Sequence, residues 1–166
     1  MNPIGKAEIG STGLHVTRLG LGGAPLGSMF TEVADDSATQ TIQQGLRLGI
    51  RYFDTAPLYG RGVSESRFRT ALKGLERDEF VLSTKVGRVL NPVDSAPYDE
   101  TFVNVPRFEA VFDFSRDGIL RSLEESLGRL GLDRVDIALI HDPDNHYEEA
   151  IRHAFPTLAE LRSQGV

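Results

Sequence analysis

Three residues capable of acid–base chemistry end apolar segments of this 166-residue chain, and a fourth follows close behind one of them. Asp54 ends Gly49-Ile50-Arg51-Tyr52-Phe53-Asp54, and Tyr59 lies in the loop just beyond. Lys85 ends Phe80-Val81-Leu82-Ser83-Thr84-Lys85, and His141 ends Val135-Asp136-Ile137-Ala138-Leu139-Ile140-His141. Reducing a carbonyl takes a hydride donor and an acid that protonates the oxygen. A tyrosine hydroxyl is a weak acid, with an ordinary pKa of about 10. A neighbouring ammonium favours its ionised form. Lys85 is the candidate ammonium, and Asp54 the partner that keeps it charged and in place. His141 is a candidate for orienting the oxygen or relaying a proton. In the oxidative direction Tyr59 acts as the base. Taken singly, each residue has an ordinary explanation: a loop-capping Asp, a packed Tyr, a lysine at a strand end, a His bonded to the next loop. Their recurrence at matching positions of successive segments sets them apart.

The surrounding pattern supplies the elements to hold them. Gly10-Ser11-Thr12-Gly13 predicts a hairpin turn between Ala7 and Arg18. Leu19-Gly20-Leu21-Gly22 reads as a short strand, and after it helix and strand signals alternate. Asp35 and Asp36 are expected to cap a helix with Ala38, Ile42, Gly45 and Gly49 on one face. Ser64 is expected to cap a second helix, from Glu65 to Leu72, stopped by Gly74. Residues 87–114 read as a long polar loop. Ser115 is placed to cap a third helix whose Ile119, Leu120, Leu123, Leu127 and Leu130 line one face. Asn145 with Glu148 resembles a capping box opening a last helix, with Ile151, Ala154, Leu158 and Leu161 inward.

A hairpin plus four βα units implies parallel strands covered by helices. An open doubly wound sheet and a (β/α)8 barrel both fit that pattern. The dinucleotide fingerprint of the open sheet fails, because Pro25 occupies the third glycine position after Gly20 and Gly22. Chemistry carried at several strand C-termini suits the barrel. A full barrel takes about 250 residues, and Val166 falls where a fifth strand would begin. The expected architecture is therefore the N-terminal half of a (β/α)8 TIM barrel spanning 1–166. Such a half exposes two strand edges, so self-association through them is expected.

Composition narrows the partners. A net charge of −6 leaves no basic stripe for phosphates, so no nucleic-acid partner is expected. No apolar run approaches the ~20 residues that span a bilayer, and no signal-peptide pattern opens the chain. The absence of cysteine rules out disulfides and thiolate metal sites and fits a cytoplasmic enzyme. His141-Asp142-Pro143-Asp144-Asn145-His146 offers metal-binding residue types, but Pro143 breaks the run and no second ligand cluster accompanies it. A strand end followed by a helix cap is the expected reading, with no metal. Gly20 to Gly27 serves equally as a tight βα turn or as a place for a cofactor to approach the backbone.

The run Gly-Ile-Arg-Tyr-Phe-Asp-Thr-Ala at 49–56, then Tyr59-Gly60 and Ser64-Glu65, resembles the aldo-keto reductase family along essentially the whole chain. The resemblance implies the barrel with its N-terminal hairpin. It also implies oxidoreduction with NAD or NADP, and a catalytic tetrad of Asp54, Tyr59, Lys85 and His141. Asp54, Gly23 and Ala24 are the implied cofactor neighbours. Most other cofactor contacts in the family come from the second half of the barrel. Ser83-Thr84-Lys85-Val86-Gly87-Arg88, Phe112 to Gly118 and Ile140 to Asp144 are most like the aldose and pyridoxal dehydrogenase group of that family. The implied substrate is a small carbonyl compound or sugar, oxidised from cyclic hemiacetal to lactone. Two alternatives stand beside this reading: a non-enzymatic nicotinamide-binding or regulatory module, and an inactive fragment. Metal-assisted hydrolysis on an unrelated barrel is a third.

Overall fold

The computed structural model describes residues 4–166. The chain opens with an antiparallel hairpin, β1 (Lys6–Glu8) and β2 (His15–Thr17), turning through the expected glycines. Arg51 N–H donates to Thr17 Oγ1 at 3.1 Å, tying the hairpin to the sheet behind it. Next come β3 (Leu21–Gly22), α1 (Asp35–Arg47), β4 (Tyr52–Asp54), α2 (Val63–Leu72) and β5 (Val81–Val86). A second antiparallel pair, β6 (Arg88–Pro92) and β7 (Phe108–Phe112), precedes α3 (Arg116–Leu130) and β8 (Ile137–Ile140). The final helical run comprises α4 (Tyr147–Glu149), a π turn over Ala150–Ala154 and α5 (Phe155–Gln164).

Strands β3, β4, β5 and β8 form one parallel sheet in that order, four βα units of a (β/α)8 barrel. The register aligns Gly22 with Asp54, Asp54 with Ser83, and Ser83 with Ile137, so all four strands deliver their C-termini to the same side. Phe53, Phe68, Leu82, Val86, Phe114 and Ile119 are wholly buried between sheet and helices. Each such large side chain contributes about 1.5–3 kcal/mol by leaving water. That burial fixes the strand register and hence the relative height of the strand-end residues.

Local capping departs from the sequence pattern in several places. Ala34 is the residue before α1, and Asp35 turns instead to Arg67 at 2.8 Å. Gly62 precedes α2, which starts at Val63. Ser64 lies inside the helix, fully buried, where its hydroxyl donates to Gly23 O at 2.8 Å. Ser115 does cap α3, accepting from Gly118 N–H at 3.1 Å. The expected polar loop holds the β6–β7 pair, whose Leu90 and Val89 are buried. The β-prone Phe108, Val111 and Phe112 are its sequence signal. Asn145 lies in a 3-10 turn and caps nothing. Ile151 is 49% exposed, while Ala150 and Ala154 turn inward. Pro156 has no N–H and crowds the carbonyl four residues back, and the π turn that accommodates it rotates the inward face. Among the described residues no helix is long and apolar enough to cross a membrane.

Candidate active site

Strand periodicity assembles the charged centre. Ser83 and Lys85 are two apart on β5 and share a face, and both reach Asp54 on the neighbouring strand. Lys85 Nζ donates to Asp54 Oδ2 at 2.7 Å and to Thr55 O at 2.9 Å. Ser83 Oγ donates to Asp54 Oδ1 at 2.7 Å. Both Asp54 oxygens are thus engaged, and the ammonium is held in one place. Thr84, between the two, faces the helices and donates to Glu65 Oε1 at 2.8 Å. Glu65 is fully buried and also accepts from Arg129 Nε at 2.6 Å.

Tyr59 is placed by its backbone. Its N–H closes a turn onto Ala56 O at 3.1 Å. Gly60 follows in the left-handed region at φ 63°, against Gly27. A Cβ added at Gly27 would lie 2.5 Å from Tyr59 C and 2.7 Å from Gly60 N, so the two loops meet as bare backbone. The Tyr59 ring then presents its face to Lys85, whose Nζ lies 4.7 Å from the ring centroid. The ammonium therefore sits over the ring, while its two hydrogen bonds go to Asp54 and Thr55.

His141 follows β8 directly, and its N–H donates to Val86 O at 3.0 Å, extending the strand pairing by one residue. Its ring stands at 87° to that of Tyr59, with centroids 6.0 Å apart. Only 5% of the residue is exposed. Burial pushes its pKa down to about 4; the nearby Asp142 carboxylate opposes this, and Lys85 and Arg88 reinforce it. The imidazole is therefore neutral near pH 7. Its Nδ1 is buried and has no hydrogen-bond partner among the described residues.

All four expected residues thus meet at one end of the sheet. Gly23 and Ala24 lie beside them. Gly23 N–H donates to Asp54 O at 2.7 Å, and a Cβ there would lie 2.6 Å from Ser64 Oγ and 2.7 Å from the Phe68 ring. Gly23 is needed for packing against α2 whatever else it does. Ala24 leads into the 3-10 turn Pro25–Gly27.

Several neighbours escaped sequence reasoning. Asp142 Oδ2 lies 3.6 Å from His141 Nε2 and pairs with Arg88 at 3.0 Å. Arg88 lies over the Phe112 ring at 3.5 Å, and His146 stacks on Phe112 and Phe114. The residues of the 141–146 run are thus drawn to different partners. Phe102, from the β6–β7 connection, packs on Tyr59 with centroids 6.1 Å apart. Ser83 was legible as a hydroxyl two residues before Lys85. Phe102 and Arg88 depend on long-range contacts with no local signal.

The Aldo/keto reductase family model matches residues 18–166. D-threo-aldose 1-dehydrogenase of a Pseudomonas species is 41% identical over 94% of this chain and 49% of its own length. L-galactose dehydrogenase of Arabidopsis thaliana is 36% identical over 99% of this chain and 47% of its own. Pyridoxal 4-dehydrogenase of Microbacterium luteolum is 38% identical over 96% and 49%. Among solved structures, the aldo-keto reductase AKR11C1 from Bacillus halodurans in its holo form superposes with a TM-score of 0.72 at 30% identity, over 98% of this chain and 48% of that one. The chain spans about half the length of the curated relatives it matches.

Proposed function

The chain belongs to the aldo/keto reductase family, and from that premise we propose that it carries the proton-transfer centre of a nicotinamide-dependent oxidoreductase acting on small carbonyl compounds or sugars. One observation carries the reading: Lys85 is fixed between Asp54, at 2.7 Å, and the face of Tyr59, at 4.7 Å, with the neutral His141 ring perpendicular to the tyrosine. A lysine held so tightly at a strand end serves the stability of the fold little, since burying an ion pair costs about as much as it returns. Its charge stands over the face of the neighbouring phenol. Tyr59 gives its proton to the substrate oxygen in reduction and takes it back in oxidation. His141, neutral and edge-on to the Tyr59 ring, orients that oxygen.

The residues present fit a nicotinamide beside Asp54. Gly22 is the register partner of Asp54, and a Cβ added there would meet no atom within 4 Å, so that face is open to a flat ring. When bound, NAD or NADP accepts or supplies the hydride. Asp54, Gly23 and Ala24 would border it. The dehydrogenases named above support an aldose hemiacetal, oxidised to its lactone, as the substrate class. In this reading the chain forms the first half of the barrel, and the part of its relatives that it does not span supplies most contacts to the dinucleotide.

The test is titration with NAD+ and NADP+, followed by reduced-cofactor formation with L-fucose, L-galactose and pyridoxal, in residues 1–166 and in a complete protein bearing them. The expectation is little turnover from the chain alone. In the complete protein Tyr59→Phe should lower turnover by at least about a hundredfold, the low end of what a general acid contributes. Unchanged turnover in Tyr59→Phe would remove the assignment.

A further inference from the structure

The segment 93–107 joins β6 to β7 and crosses the mouth of the sheet toward the loop after β3. Phe30 N–H donates to Thr101 O at 2.6 Å and Val103 N–H to Ser28 O at 3.0 Å. Between these bonds Phe102 is turned inward, 5% exposed, onto the Tyr59 ring. One side chain joins this crossing to the loop of Tyr59. Asp99 Oδ1 accepts from Thr101 N–H at 2.8 Å and Phe102 N–H at 2.9 Å. Asp99 Oδ2 meets Arg61 at 2.9 Å. Arg61 lies two residues after Tyr59, in the left-handed region at φ 54°, and the two paired side chains are only 10% and 12% exposed.

We propose that Asp99 is a positioning residue for Tyr59, holding its ring through Phe102 on one side and its loop through Arg61 on the other. The role rests on the reading of Tyr59 as the proton-transfer group. Two backbone N–H bonds and an ion pair converge on one carboxylate, and both arms end within two residues of Tyr59 or on its ring. Burial works against the Asp99 charge, but the Phe102 and Thr101 N–H groups and the Arg61 guanidinium outweigh it and hold the carboxyl below its ordinary range. The clasp is therefore ionised wherever the protein is folded near neutrality. The competing account is that the two backbone bonds to Ser28 and Phe30 already fix the segment, which would make Asp99 dispensable.

Fluorotyrosine labelling of residues 1–166 separates the accounts. Tyr59 is one of four tyrosines, and its 19F resonance is identified by its loss in Tyr59→Phe. Asp99→Ala should shift or broaden that resonance while leaving Tyr147, on α4, in place. Asp99→Asn keeps the acceptor for the two N–H groups and loses the ion pair, so it should move the resonance less, as should Arg61→Gln. In the complete protein Asp99→Ala should lower kcat about tenfold with KM little changed, and Asp99→Asn about threefold, as expected for a misplaced rather than missing group. An unmoved Tyr59 resonance in both Asp99→Ala and Asp99→Asn overturns the proposal. If the resonance moves but no variant has nicotinamide-dependent turnover, the positioning stands and the oxidoreductase reading falls.

Discussion

Mild acid should loosen this fold through His141. The residue is 5% exposed, and burial, reinforced by Lys85 and Arg88 against the opposing pull of Asp142, lowers its pKa from 6.5 to about 4. Unfolding returns the ring to water and to its ordinary value. Between pH 6.5 and 4 the unfolded chain therefore binds a proton that the folded chain does not. Stability rises with pH wherever the unfolded state holds more protons. The contribution is complete above about pH 6.5, declines as pH falls toward 4, and is gone below it. At 1.36 kcal/mol per pKa unit the whole effect is about 3 kcal/mol, of which about 2 kcal/mol is lost between pH 7 and pH 5. The depressed Asp99 carboxyl acts in the same sense, but only as pH falls below its ordinary 3.8, so a comparison ending at pH 5 isolates the histidine.

Urea unfolding of the chain and of His141→Gln at both pH values gives the answer. The native chain should lose about 2 kcal/mol more than the variant on moving from pH 7 to pH 5. Absolute stabilities do not enter, because only the pH-dependent difference is read. A proton NMR titration gives the same quantity without unfolding. An ordinary His141 pKa near 6.5, or equal pH slopes for the two proteins, would refute the argument that this ring is buried neutral beside Tyr59.

Two further perturbations test other parts of the structure. Glu65→Ala should cost about 3–5 kcal/mol, because Glu65 is fully buried and the change strands Arg129 and Thr84; a shift in urea midpoint worth under about 1 kcal/mol would show that the pair is not fixed. The open edge of β8 leaves Leu139 42% and Phe155 60% exposed beside an apolar cleft lined by Leu123, Val135, Ala138 and Leu158. Residues 1–166 alone should therefore self-associate, with sedimenting mass rising with concentration and Leu139→Lys opposing the rise; a concentration-independent monomer would contradict this.

What was readable in the sequence follows the range of the forces involved. The βα alternation and the Ser115 cap rest on short-range periodicity and on one hydroxyl reaching three residues ahead, and both are seen. Ser64 has the same chemistry, but Gly23 and Thr55 lie close enough to take its hydroxyl into the core, and Gly62 starts the helix in its place. Ile151 is apolar and correctly spaced for a straight helix, yet Pro156 forces a π turn that rotates it outward. In both cases a contact or a ring that local spacing ignores decided the outcome.

The convergence of Asp54, Tyr59, Lys85 and His141 was legible for a different reason. Parallel register brings every strand end to the same side of the sheet, with Asp54 level with Ser83 and with Lys85 and His141 a few residues further along, so residue type at strand ends already encodes proximity. Direction within the site was not encoded in that way. That Lys85 lies over the tyrosine face follows from Asp54 and Thr55 O claiming its hydrogen bonds. The ring orientation that makes this possible depends on the bare backbone contact of Gly27 with Gly60 and on Phe102. Strand β5 serves both the site and the core. Its Ser83 and Lys85 serve the charged centre, while Thr84 between them fastens the same backbone to the buried Glu65–Arg129 pair. The side of the strand facing the helices thus fixes the height at which the other side presents the lysine.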